Sequence, residues 1–323
     1  MKSTASVILA TMLLALAAQA ANAGNVVGLS QVAIPANADV LLTVPFTNSS
    51  VGTFSVTSTG GGGLVTISST IVADAFDGGG YYVRFISGGA NGLWSTISTN
   101  GAGSVTLADP AVVAYAKSGD TFRIYAHQTL GSIFPNGLLG VSFNMDSHIL
   151  IFSNDRTAMQ QNRSASAVAD YYNIPGGYQG WYADGVDNTT PLCPETQFVL
   201  RNSSSQTLTV YMTGQVPDYN VSLIVAPGGD LNIGTGYPVP VLASAAGLGG
   251  TGRSLLLYDN TGSGYNKSAS IVADYYDTPD YTGWYCDGWD FGQKLAAPQS
   301  FTLRLDNNSP TVKVTIPKPY PSN

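Results

Sequence analysis

The sequence predicts an all-β protein of tandem β-sandwich-like domains, with an internal duplication in its C-terminal half. Three observations carry that expectation. Short alternating, β-branched runs punctuated by Gly, Asn, Asp and Pro recur along the chain, the pattern of strands joined by tight turns. Charge is scarce, with Asp, Glu, Lys and Arg only 10% of residues where roughly 25% is usual, and long amphipathic helices need charged faces. One aromatic segment occurs twice, "SASAVADYYNIPGGYQGWYADG" at Ser164–Gly185 and "SASIVADYYDTPDYTGWYCDG" at Ser268–Gly288. Roughly 15 of about 21 aligned positions are identical, far beyond chance.

Taken in order, Met1–Ala23 reads as a secretory leader: Lys2, an apolar stretch from Val7 to Ala18, then small residues that place cleavage after Ala23, with Ala20 as the alternative. The apolar run is too short to span a bilayer, so the expectation is an exported protein without a transmembrane anchor, extracellular, at the cell surface or periplasmic. Losing Lys2 takes the formal net charge from −7 to about −8, which excludes nucleic acid and anionic membrane surfaces as natural partners. Strand-length runs follow at Asp39–Phe46, Gly52–Thr59, Gly63–Asp74, Tyr81–Ser87, Ser104–Asp109 and Asp120–His127. "HILIFSND" (His148–Asp155) then matches "RSLLLYDN" (Arg253–Asn260), and Phe198–Gly214 matches Phe301–Pro317. The expected domains are an N-terminal β domain at 24–135, one sandwich repeat at 136–226 and a second at 227–323. Two weaker echoes reach into the N-terminal domain: Ser68–Asp77 with Ser268–Asp277, and Pro35–Phe46 with Pro227–Val239.

"VPF" (Val44–Phe46), "YYVRFISGGANGLWSTISTN" (Tyr81–Asn100) and "SGDTFRIYAHQTLGSIFP" (Ser118–Pro135) together resemble a family of exported bacterial proteins of unassigned function. Its marks are an aromatic strand, a Ser-Gly turn, a Gly-Asp turn and an H-x-TLG-x-x-FP ending. Members usually carry Trp where this chain has Gln128. The resemblance implies secretion and a β-rich fold, and no reaction.

No motif carries the specificity of a catalytic signature. "GLGGTG" (Gly247–Gly252) fits a dinucleotide loop, but it runs into a strand-like segment where a pyrophosphate site needs a helix. His127 and His148 are the chain's two histidines, and neither sits in a nucleophile or zinc pattern. The carboxylates Asp170 and Asp274, Asp184 and Asp287, and Asp187 and Asp290 recur at matched repeat positions. They read either as turn residues or as oxygen ligands for calcium. The rings Tyr171, Tyr172, Trp181 and Tyr182, with Tyr275, Tyr276, Trp284, Tyr285 and Trp289, read either as core packing or as a contact surface for a glycan or a protein. Cys193 and Cys286 flank the repeats and suit a disulfide in an exported chain, or two separate thiols.

The function these features predict is non-enzymatic: an exported structural or adhesive protein of the bacterial envelope or matrix, open to self-association. The alternative is a carbohydrate-binding module using the repeat Trp and Tyr residues, with calcium as the one cofactor in question. An exported glycan hydrolase ranks below both.

Overall fold

The computed structural model describes residues 26–137, 147–151, 165, 167–174, 176–177, 179–183, 186–187 and 191–320. The leader, Asp184, and the side chains of Asp187 and Trp289 lie outside the described residues.

The chain opens with β1 (Val27–Ile34) and β2 (Ala38–Leu42), then β3 (Ser50–Thr59), β4 (Leu64–Ile67), β5 (Tyr81–Phe85), β6 (Trp94–Gly101), β7 (Ser104–Leu107) and β8 (Thr121–Ala126). After β9 (Gln128–Thr129) and a short helix at Leu130–Ile133 come β10 (Ser147–Ile151), β11 (Ala167–Asn173), β12 (Gln179–Ala183), β13 (Val186–Asp187), β14 (Pro191–Leu192), β15 (Phe198–Asn202) and β16 (Leu208–Gln215). The last stretch holds β17 (Val221–Val225), β18 (Asp230–Ile233), β19 (Val241–Leu242), β20 (Arg253–Leu257), β21 (Ile271–Thr278), β22 (Tyr281–Cys286), β23 (Trp289–Asp290), β24 (Lys294–Leu295), β25 (Phe301–Leu305) and β26 (Val312–Ile316). The architecture is all-β, as the composition predicts.

Strands β3, β4, β7, β6, β5 and β8 close into a barrel, which leaves no sheet edge. Val56, Val65, Val83, Phe85, Ile97, Val105, Phe122 and Ile124 fill it, every second residue turning inward as a period of two requires. The segment Ser68–Asp77 forms turns where Ser268–Asp277 enters β21, so that sequence echo has no structural counterpart.

Around the barrel stand two six-stranded sheets, one ordered β13-β12-β11-β10-β15-β2 and the other β23-β22-β21-β20-β25-β18. Two ribbons, β1-β16 and β17-β26, and two short pairs, β9-β14 and β19-β24, accompany them. The first ribbon and the first sheet share one core, Ile34, Val210 and Met212 meeting Val40, Leu42, Leu200 and Trp181. The second pair does likewise through Leu223, Val314, Leu231, Leu303 and Trp284. Pairing therefore crosses the boundary expected after Pro135: β1, β2 and β9 join strands beyond it, and the barrel lies between β2 and β9 in the chain. The second echo is matched in space, since Pro35–Phe46 supplies β2 and Pro227–Val239 supplies β18, the same edge of each sheet.

Those two edges are closed reciprocally. On β2, Leu42 bridges Gln299, Thr43 N donates to Pro298 O (2.8 Å) and Ser300 N donates to Leu41 O (3.1 Å). On β18, Ile233 bridges Thr196, Gly234 N donates to Glu195 O (2.9 Å) and Gln197 N donates to Asn232 O (3.1 Å). Between the two contacts, Ser300 Oγ donates to Gln197 Oε1 at 2.8 Å. All five residues of β2 are buried, as a strand covered on both faces should be.

Candidate functional site

The repeated hairpins sort their rings by strand alternation. Tyr171 opposes Trp181 and Tyr275 opposes Trp284, in edge-to-face pairs at 5.4 and 5.3 Å. Both tryptophans are buried, at 4% and 3% exposure, and Trp181 Nε1 donates to Phe134 O at 2.8 Å. Of the two sequence readings for these rings, core packing is the one their placement matches, because a buried indole offers no face to a ligand. One residue along, the chain turns outward. Tyr172 pairs with Tyr182 at 5.7 Å and Tyr276 with Tyr285 at 5.8 Å, and Tyr276 is 48% exposed. Gly180 and Gly283 stand opposite Tyr172 and Tyr276.

The recurring carboxylates fall in one cross-strand row per sheet. Across the first run Asp39, Arg201, His148, Asp170, Tyr182 and Asp187; across the second run Asp230, Arg304, Ser254, Asp274, Tyr285 and Asp290. At one end the arginines hold their aspartates through two bonds each, Arg201 to Asp39 at 2.8 and 2.8 Å and Arg304 to Asp230 at 2.7 and 2.9 Å. At the other end a tyrosine separates two aspartate positions by two strand spacings, roughly 10 Å, too far for them to share one cation. Asp274 accepts from Ser254 Oγ at 2.5 Å and Asp290 from Tyr281 Oη at 2.5 Å. Asp287 adopts φ 52 and Gly288 φ 81, the backbone of a tight hairpin turn. Among the described residues no group of three or more His, Cys, Asp or Glu gathers for a metal. Cys193 and Cys286 both carry thiols and are not joined, although each packs against the second core.

A second constellation, which the sequence reading missed, lies where the barrel meets both sheets. Tyr82 and Arg84 alternate on the outer wall of β5 and face Tyr125 and Arg123 of β8. This wall is covered by Glu195, by Tyr219 and by the second core, so Arg84 is fully buried (0%). Its Nη2 donates to Glu195 Oε1 at 2.6 Å and its Nη1 to Gly92 O at 2.7 Å, and its guanidinium lies over the Tyr219 ring. Burial opposes the charge on Arg84 most strongly, but Glu195, through its charge and hydrogen bond, together with Tyr219 and Tyr82 outweighs it and raises the guanidinium's pKa. Tyr82 stacks on Tyr125 at 5.4 Å and touches His127 at 4.8 Å. Burial raises the pKa of Tyr82, Tyr125 and Tyr219, so all three remain neutral phenols.

His127 sits among these rings with Nε2 3.0 Å from Thr96 Oγ1, and desolvation pushes its pKa down to about 4. Four buried polar atoms have no partner among the described residues: Arg84 Nε, Glu195 Oε2, Tyr219 Oη and His127 Nδ1. One signal in the sequence pointed here, because Glu195 is the single glutamate of the chain.

No family model, curated protein or solved structure matches the chain.

Proposed function

We propose that the chain is a non-enzymatic exported protein of the bacterial envelope or matrix, structural or adhesive in role, that grips an extracellular glycan through two copies of one tyrosine-bearing sheet face. The carrying observation is the repeated outward row, in which Tyr182 stands between Asp170 and Asp187, and Tyr285 between Asp274 and Asp290. A sugar ring offers an apolar face and a rim of hydroxyls, which a tyrosine and flanking carboxylates meet in turn. The stacking role expected of Trp181 and Trp284 passes to Tyr172, Tyr182, Tyr276 and Tyr285.

We read the two sheets and their ribbons as copies of one β-sandwich-like unit, the first carrying the barrel as an insert. Two matched faces on one chain let a repetitive polymer engage twice, and the second contact is then strengthened by effective concentration, by ~10²–10⁴ at best. Strand-edge assembly is the weaker reading, since the β2 and β18 edges are paired within the chain.

Retention on insoluble polysaccharides (cellulose, chitin) and on purified cell-envelope material tests the proposal. Tyr172→Ala with Tyr182→Ala, or Tyr276→Ala with Tyr285→Ala, should each weaken apparent affinity at least ~10-fold, and all four together should abolish retention. Undiminished retention of the fourfold variant would remove the faces from the function.

A further inference from the structure

Between the barrel and the connection from β16 to β17 lies a cleft of about 220 Å³, lined by Thr47, Ser50, Thr53, Arg123, Tyr125, Gln215 and the run Val216–Tyr219. Drug-sized ligands occupy ~300–1,000 Å³, so this space suits a single small ring. Its charged groups cancel: Arg123 Nη1 meets Asp218 Oδ1 at 2.6 Å, with Asp218 at the rim, its side chain 58% exposed. A neutral pair with both a fixed donor fork and a carboxylate selects against net-charged ligands and in favour of neutral ones carrying adjacent hydroxyls.

The cleft shares Thr47, Pro217 and Tyr219 with a smaller pocket of about 10 Å³ that also reaches Tyr82, Gln128 and Glu195, room for about one water. Two residues with an unpartnered buried atom line this pocket, Glu195 with Oε2 as an acceptor and Tyr219 with Oη as donor or acceptor. Leaving such groups unpaired costs ~1–3 kcal/mol each. These atoms are closed to solvent, and the space behind the cleft has room for one water to bridge them.

We infer that this cleft binds one neutral sugar unit, either free or at the end of a glycan, held by Arg123 and Asp218. The site draws on the barrel and on the run preceding β17, so it exists once per chain, apart from the paired faces proposed above. It stands whether or not those faces bind polymer.

Ligand-observed NMR and calorimetry on the full chain test it, with glucose, galactose, mannose and N-acetylglucosamine as probes, glucuronate and glucosamine as charged comparators, and a methyl glycoside and a short oligosaccharide to separate a free sugar from a chain end. At least one neutral probe should saturate at millimolar concentration, and the charged comparators should bind ≥10-fold more weakly. Asp218→Ala should weaken the neutral probe ~10-fold or more. Lack of saturation by every neutral probe, or equal binding by Asp218→Ala, would overturn the assignment. Loss of polymer retention alone would bear only on the paired faces.

Discussion

The Arg84–Glu195 pair is the most sharply testable contact in the molecule. Both side chains are withdrawn from water, at 0% and 4% exposure, so removing one leaves the other's charge stranded. Breaking a buried pair in this way costs ~3–5 kcal/mol, and Glu195→Ala is expected to fall in that range. For a single cooperative unit of this length the loss corresponds to a melting temperature lower by about 5–8 °C. Glu195→Gln keeps an acceptor for Arg84 and should lose less. The double variant Arg84→Met with Glu195→Leu replaces the pair with apolar groups and should recover most of the stability, because the desolvation cost disappears along with the attraction. Urea unfolding followed by tyrosine and tryptophan fluorescence measures these proteins, and the singles Arg84→Met and Glu195→Leu complete a double-mutant cycle with the native and double variants. A Glu195→Ala protein within ~1 kcal/mol of the native one, or a double variant as damaged as the sum of the singles, would refute the reasoning.

His127 makes stability pH-dependent with a definite sign. Its folded pKa of about 4 lies below the unfolded ~6.5, so its contribution is complete above about pH 6.5 and is lost as pH falls toward 4, by about 3 kcal/mol. His127→Gln should flatten that acid limb in urea titrations at successive pH values, and parallel limbs in the two proteins would contradict it. Gly92 holds the barrel to the second unit: it adopts φ 83, accepts from Ser222 N at 2.9 Å, and a Cβ there would lie 2.6 Å from Ser222 Oγ and 2.7 Å from Asn220 O. Gly92→Ala should cost about 2–4 kcal/mol and speed hydrogen exchange at Ser222, whereas Gly103→Ala, with no atom near its added methyl, should not change that exchange.

Much of the fold was legible because it is local. Strand alternation located β5 and β8 to within two residues and the starts of β20 and β25, and the duplicated segment marked the stretches that hold β11–β12 and β21–β22. The inserted barrel was hidden because the pairing it interrupts is remote: Asp39 meets Arg201 across 162 positions. Composition and period show where a strand alternates, and nothing about which partner lies alongside. The same limit concealed the junction. "YYVRF" announces that Tyr82 and Arg84 share a face, and the usual expectation for such a face is solvent. Its burial depends on Tyr219 and Glu195, the latter 111 positions from Arg84. The hairpin rings failed differently: a period of two divides Tyr171 from Tyr172 but does not say which of them faces the core.

The placement of the barrel explains how a repeated frame can carry a single site. Gln197 and Ser300 occupy corresponding positions before β15 and β25 and bond to each other, and the edge contacts on either side of them repeat with swapped partners, as in a two-fold dimer folded into one chain. On the proposed reading of two copies of one unit, the outward tyrosine faces occur twice, which suits a polymer that engages both. The barrel breaks the equivalence. It brings Arg84 to Glu195 of one unit and lays Tyr82 and Tyr125 beside Tyr219 of the other, so the glutamate before β15 meets a cation while Pro298, its counterpart before β25, meets none. Under the proposed function, the two matched faces supply avidity and the barrel supplies the polar junction beside which a small ligand is selected.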